Sequence, residues 1–490
     1  MCQDRSLEQN AKESASVSEL IIALAIVLIF FAFLYGYNLD GWLFNDDEGS
    51  FLYQAWRVSV GDVPYRDFLT SHWPLFLHTG GLWVKLWGAN ILAMRYLTLS
   101  LMLATSIVVF MLAKSVLSLR ESLLSMVIFL LNPQIFEYGR LYHPEAFYIF
   151  FGTLGVWVFV EGQRRNNYFY HALSGLIFAL ATLYKPLAVL FLGGVFFSLL
   201  LLWAHEQENR PSILKFALVV AMAYGFSLAV ILGLIGYMIP GFFEHVFGLQ
   251  FVQGRELNWG TVVSKNLIFL SQYVLGSVFL FSFALPAILK GWKGDRRFVY
   301  LAAQLPTALA FLIFSRSLFS RLLTYLIPAL VILFVLSIRS LRSLKSEMLF
   351  YPIAVFVLLM PWALEDVWLF LRVDTETTEV VEFLEENLSE GNVLLSDYQS
   401  FNFFAQAPST YYGAEISNVF TDGGAIQGSA LISEIEQMGV AMVIVDVDGD
   451  HMAAMGDFKD FRLYLQKNFG LKKIFNFSGH RLEIYAAQRP

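Results

Sequence analysis

Apolar residues arrive in long unbroken runs over the first three quarters of the chain, and in short alternating groups after that. Runs of roughly the 20 residues that cross a bilayer fall near 19–38, 95–117, 121–136, 145–161, 170–184, 186–204, 213–239, 263–289, 298–315, 321–338 and 348–370. The pattern predicts about 11 transmembrane helices. Lys185-Pro186 breaks the apolar stretch from Tyr168 to Trp203, which predicts two helices meeting in a very short turn. The run at 121–136 is short and ends at Asn132-Pro133. The first run lacks a small-residue cleavage site, so it is expected to remain as a helix rather than leave as a signal peptide.

Past residue 373 the period changes. TTEVVEFLEENL (377–388), ALISEIEQM (430–438) and FKDFRLYLQKNF (458–469) space their apolar residues as helices do. VLLSDY (393–398) and AMVIVDV (441–447) read as strands, and LKKIFNF and HRLEIYAA flank Ser478-Gly479, a two-residue hairpin signal. The whole chain is therefore expected to be a mainly α polytopic membrane protein with a C-terminal extracytoplasmic α/β domain. Its expected parts are a cytoplasmic N-terminus (1–18), a transmembrane body (19–372) holding a first outer loop at 39–95, and the α/β domain (373–490).

Composition narrows the function. Of the 490 residues 57% are hydrophobic and only 15% charged, against about 25% charged in soluble domains. That argues against a soluble enzyme, a disordered chain or a nucleic-acid binder. One cysteine, Cys2, leaves no disulfide framework and no cysteine-based metal site. The net charge of −7 divides unevenly: residues 374–490 carry 18 acidic and 7 basic residues, the remainder 22 acidic and 26 basic. Fifteen Lys and Arg lie in short connections on one side, including KGWKGDRR (290–297) and RSLRSLK (339–345), against eleven on the other. The positive-inside rule then puts the N-terminus in the cytoplasm and the acidic tail outside, for a multi-pass plasma (inner) membrane protein.

The loop from Leu39 to Arg95 is too long to be a bare connection. Leu52, Ala55, Trp56 and Val60 share a helical face, which predicts an interfacial helix with Trp56, Trp73, Trp83 and Trp87 at headgroup level. Asp46-Asp47-Glu48 stands just beyond the first span. Two readings are open: an acidic helix start favoured by the dipole, or a partly desolvated carboxylate serving as general base.

The first span followed by DDEGSFLYQAWRVSVGDVPYRDF (46–68), HWPLFLHTGGLWVKLWG (72–88) and Arg95 resembles the polytopic GT-C glycosyltransferases. It is most similar to the branch of protein O-mannosyltransferases and aminoarabinose transferases. RLYHPEAF (140–147), the Tyr184-Lys185-Pro186 turn and RLLTYLIPAL (321–330) extend the resemblance over most of the body. Where that branch has Lys-Pro-Pro, this chain has His72-Trp73-Pro74. The resemblance implies a sugar donor on a polyprenyl phosphate, a lipid, glycan or protein acceptor, and transfer of a hexosyl or pentosyl group at the outer face. It implies Asp47 as the general base, Glu48 as its neighbour orienting the acceptor or standing in as base, and Glu145 as a second acidic position.

A phosphate leaving group needs cations, and the basic residues on the less basic side are the candidates: Arg140, Lys185, Arg255, Arg316 and Arg321. His72 and Tyr325 join them as substrate-binding candidates. For each cation the alternative is a side chain snorkelling to the interface. Asp47, Glu48, His72 and His143 include donor types that a divalent cation accepts, but their spacing specifies none, so no metal or other cofactor is assigned. In VDVDGDH (445–451) the glycine falls fourth from Asp446 rather than sixth, which rules out the calcium-loop pattern and leaves an acidic turn. A transporter or lipid flippase is the alternative reading; it calls for charges or broken helices at mid-membrane depth, whereas these charges cluster at span ends. A sensor is disfavoured, since no cytoplasmic output domain is present.

Overall fold

The computed structural model describes residues 17–239, 241–248, 259–276, 278–314, 320–341, 373–422 and 424–488. The expected span at 348–370, Arg255 and Arg316 lie outside these residues.

The body is built from helices α1 (Val17–Gly36), α2 (Asp46–Ser59), α3 (Pro74–Trp87), α4 (Ile91–Lys114), α5 (Leu119–Leu130), α6 (Pro133–Arg140), α7 (Pro144–Arg165), α8 (Tyr168–Tyr184), α9 (Val189–His205) and α10 (Arg210–Met238). α11 (Trp259–Gly276), α12 (Val278–Trp292), α13 (Val299–Ala302), α14 (Gln304–Phe314) and α15 (Ile327–Leu341) complete it, with a 3-10 turn at Ser320–Leu326 leading into α15. Among the described residues six helical stretches are long and apolar enough to cross a bilayer: Ser18–Gly36, Ile91–Lys114, Pro144–Arg165, Pro186–His205, Arg210–Met238 and Arg321–Ile338. Phe33 on α1 and Phe226, Tyr237 and Met238 on α10 stand exposed, as suits helices that face lipid.

Three expectations change. The run at 121–136 is two helices, because Asn132 accepts from the Gln134 and Ile135 N–H groups and starts α6 afresh at Pro133. The run at 298–315 likewise divides into α13 and α14. The helix in the first loop does not lie open on a membrane surface. Every residue of α2 from Phe51 to Arg57 is buried, because one side packs on α3 and the other is covered by the C-terminal domain. Trp56 and Trp73 are buried with it, whereas Trp87 is 63% exposed.

The C-terminal domain follows the sequence pattern closely. Four strands, β1 (Leu394–Ser396), β2 (Met442–Asp446), β3 (Phe469–Phe477) and β4 (His480–Ala487), form one sheet in the order β1-β2-β4-β3. β1 and β2 are parallel and the remaining pairs antiparallel. Ser478 and Gly479 both take positive φ, 52° and 83°, as a two-residue hairpin turn requires. Helices α16 (Thr375–Asn387), α17 (Gln399–Phe404), α18 (Asn418–Asp422), α19 (Gly428–Met438) and α20 (Phe458–Asn468) complete the domain. α17 lies against α2: a Cβ on Gly49 would sit 2.8 Å from Ser400 Cβ and 2.9 Å from its backbone nitrogen. Glycine is what lets the two helices approach so closely.

Candidate active site

α2 begins where Asn45, in extended conformation, accepts from the Glu48 N–H at 2.9 Å. The acidic triplet therefore occupies the first helical turn, where the dipole favours negative charge. Successive residues of a helix point about 100° apart, and the three carboxylates go to three different places.

Glu48 turns inward and is 1% exposed. Arg95 grips it in a fork, Nε at 2.9 Å and Nη2 at 2.5 Å, while the Tyr142 N–H donates to the same carboxylate at 2.7 Å. Arg95 also donates to the Leu39 carbonyl at 2.6 Å. That clamp ties the end of the first span, α2, α4 and the start of α7 together. Buried and held by these donors, Glu48 anchors the elements around it.

Asp47 faces the other way. It pairs with Arg321 of the 3-10 turn, and its side chain is 47% exposed. Burial pushes its pKa up, but the Arg321 guanidinium and the nearby His143 more than offset that, so the carboxyl sits below its ordinary value. Beside it, α7 and the end of α8 supply a second ion pair. Glu145, fully buried in the first turn of α7, pairs with Lys185, the residue that ends α8. Lys185 Nζ also lies 5.6 Å from the centre of the Tyr148 ring. His143, the residue before α7, lies between: its Nε2 is 3.3 Å from Asn45 Oδ1 and its Nδ1 3.5 Å from Glu145 Oε2. Asp47, Glu145, Lys185 and Arg321 interact electrostatically as one group. Two anions balance two cations, so an arriving phosphate would compete with the carboxylates for Arg321 and Lys185.

His72 lies at the edge of this group. Its ring packs edge-on against Phe51, which packs the same way on His143. Burial pushes its pKa below the ordinary value while Glu415 pulls it up. Among the described residues, Lys185 and Arg321 are the cations beside Asp47.

Two further candidates are placed elsewhere. Arg140 donates from Nη2 to the Tyr37 and Asn38 carbonyls at 2.9 and 3.0 Å, so it fastens the end of the first span. Tyr325 is 1% exposed and packs edge-on against Phe191 in the helical core. Neither residue contacts the Asp47 group through these bonds. Among the described residues no group of three His, Cys, Asp or Glu is arranged to hold a metal ion.

Residues of the C-terminal domain also reach the site, which the sequence did not indicate. Glu415 accepts from the Ser71 N–H at 2.7 Å, from the Ser71 hydroxyl and from Gln54 Nε2 at 3.3 Å, and stands 3.7 Å from His72 Nε2. His451 Nε2 lies 3.1 Å from Asp46 Oδ2. Tyr53 accepts from the Ser409 N–H at 2.6 Å, and Leu69 donates to the Tyr411 carbonyl at 3.0 Å. Glu415 follows a short 3-10 turn in a stretch with no period of its own, so no sequence signal could have placed it.

The family model for dolichyl-phosphate-mannose-protein mannosyltransferase matches residues 71–232. No curated protein sequence matches the chain. Among solved structures, the fold is similar to ArnT from Cupriavidus metallidurans bound to undecaprenyl phosphate, with TM-score 0.63 and 13% identity over 96% of this chain and 98% of that one. It is also similar to the Archaeoglobus fulgidus oligosaccharyltransferase in the apo form, with TM-score 0.51 and 13% identity over 96% of this chain and 74% of that one. A helical body whose first loop starts on an acidic turn, capped by an α/β tail and matched end to end by ArnT, gives this chain the GT-C fold of polytopic membrane glycosyltransferases.

Proposed function

We propose that the protein transfers a sugar from a polyprenyl-phosphate donor to an acceptor hydroxyl or amine at the extracytoplasmic face, inverting the anomeric carbon. The observation that carries this reading is Asp47. It is the most exposed carboxylate of its group, and it sits against Arg321 beside the buried Glu145–Lys185 pair. ArnT, similar in fold over nearly the whole chain, was solved with undecaprenyl phosphate bound, which supports a donor of that class.

In this reading the acceptor oxygen or nitrogen forms a bond to the anomeric carbon. The bond from that carbon to the phosphate oxygen breaks, and its electron pair leaves with the polyprenyl phosphate. The acceptor proton passes to Asp47. Arg321 and Lys185 neutralise the charge that develops on the phosphate. Glu145 is a positioning residue that holds Lys185 in place. The resting Asp47–Arg321 pair then has a role of its own. When the phosphate draws Arg321 away, Asp47 loses the cation that keeps its proton affinity low, and becomes a better base as the acceptor arrives.

Asp47→Asn keeps the shape of an exposed side chain and removes the base. Transfer should fall by about 10²–10⁴-fold while membrane insertion stays unchanged and the unfolding temperature drops only modestly, through loss of the Arg321 pair. Full activity of that variant in a purified transfer assay would overturn the assignment.

A further inference from the structure

α7 runs from Glu145 at the site to Arg164 and Arg165 at its far end, about 30 Å away at the helical rise. There the ends of α4 and α7 meet the turn before α13. Two neighbouring cavities open at this end, of about 210 and 480 Å³, and they share Ser115 and Arg164 in their walls. The chain lines them unusually for so apolar a body. Lys114, Arg164, Arg165, Arg296 and Arg297 contribute cations, and Glu161 is the carboxylate in the lining. Arg164 and Arg165 share Glu161, while Arg296 pairs with Glu206 and Arg297 with Asp295, so five cations face three carboxylates. The other wall is apolar: Met111 and Leu112 on α4, Trp157 and Val160 on α7, and Leu301 on α13. Trp157 lies two helical turns below Arg164, about 10 Å toward the middle of the helix.

We propose that this basic, half-apolar hollow binds a phosphate-bearing lipid, its phosphate between Arg164 and Arg297 and its chains along Trp157 and Met111. The site is separate from the Asp47 group and does not rest on the proposed transfer reaction. Surface arginines paired only with neighbouring carboxylates gain little from those pairs. A planar guanidinium can keep its carboxylate and still offer further N–H donors to a phosphate. The apolar wall distinguishes a lipid from free phosphate, because an inorganic anion has nothing to place against Trp157. A basic pocket between helix ends at the membrane boundary is where anionic headgroups are held.

The test uses the full chain, purified, stripped of lipid and placed in nanodiscs or mild detergent. Native mass spectrometry then measures retention of phosphatidylglycerol, phosphatidylcholine and inorganic phosphate. The Arg164→Gln/Arg297→Gln variant is compared with Lys290→Gln/Lys293→Gln, which removes the same charge from the last turn of α12 and the residue after that helix, both outside the lining of the hollow. Arg164 and Arg297 side chains are 59% and 70% exposed, so their loss leaves the packing intact. The expected result is selective retention of phosphatidylglycerol by the native protein, weakened about tenfold or more in the arginine variant and unchanged in the lysine variant. Equal weakening in both variants would mean diffuse charge attraction and would overturn the site. Retention of phosphatidylcholine as strong as phosphatidylglycerol, or phosphate held as firmly as the lipid, would overturn it too.

Discussion

Asp46, Asp47 and Glu48 are adjacent in sequence and do three unrelated things. Asp46 reaches His451 of the tail, Asp47 meets Arg321 at an open edge, and Glu48 is locked under Arg95. The sequence located the triplet, and the helical period says its members diverge, but which one faces the open edge depends on partners that arrive from far along the chain. Arg140 shows the same limit: a cation at a span end can serve a site or backbone carbonyls, and only the fold decides. Glu415 is the residue whose effect is easiest to isolate. Glu415→Gln retains the size of the side chain, removes its pull on the His72 pKa, and puts an amide where Ser71 and Gln54 donate. The expected outcome is a loss of about 1–3 kcal/mol in stability and a His72-dependent limb of the pH–rate profile moved to lower pH. A profile that stays in place would show that Glu415 does not act through His72.

Elements whose signal is local were the legible ones. The tail strands, its amphipathic helices and the Ser478-Gly479 hairpin all form where their periodicity predicts, because each pattern is complete within a few residues. The periodicity predicts α2 as a helix but not its surroundings. Its amphipathic pattern reports one apolar face, whereas the polar Gln54 and Arg57 are buried too, with hydrogen bonds to Ala414, Glu415 and Ser409 of the tail. The α2–α17 contact depends on Gly49. Gly49→Ala would force Ser400 away and should cost about 1–3 kcal/mol, read as a lower unfolding temperature in detergent. Gly36→Ala, where the nearest atom is 4.0 Å from the added Cβ, should leave that temperature level or raise it slightly. Equal unfolding temperatures for the two variants would remove Gly49 from the packing argument.

At the scale of the molecule, body and tail are joined through ionisable groups, and the joint should respond to pH. His451 is pulled down by burial and pushed up further by Asp46 and Asp397, to about 9. Burial raises Asp397, which accepts from the Asp446 and Met452 N–H groups, to about 7. For His451 the folded value lies above the ordinary 6.5, so its contribution is fully present below about pH 6.5 and is lost as pH rises through about 9. Deprotonating the buried Asp397 works in the same direction, between about pH 4 and 7. Thermal unfolding should therefore move to lower temperature on going from pH 6.5 to 9, and Asp46→Asn should flatten that slope. An unchanged slope would show that this contact does not govern the joint.

The docking of the tail on α2 also bears on the order in which the molecule assembles. The bonds that cover α2 join residues more than 340 positions apart, Gln54 to Glu415 and Tyr53 to Ser409 among them. Contacts of that separation close the largest loops and form late. A chain still being synthesised holds its helical body with Tyr53, Gln54 and Arg57 lacking their partners from the tail, and with the Ser71–His72 turn unanchored. The Glu415 contacts to Ser71 and Gln54 are thus completed only when the acidic tail comes back to meet the first loop.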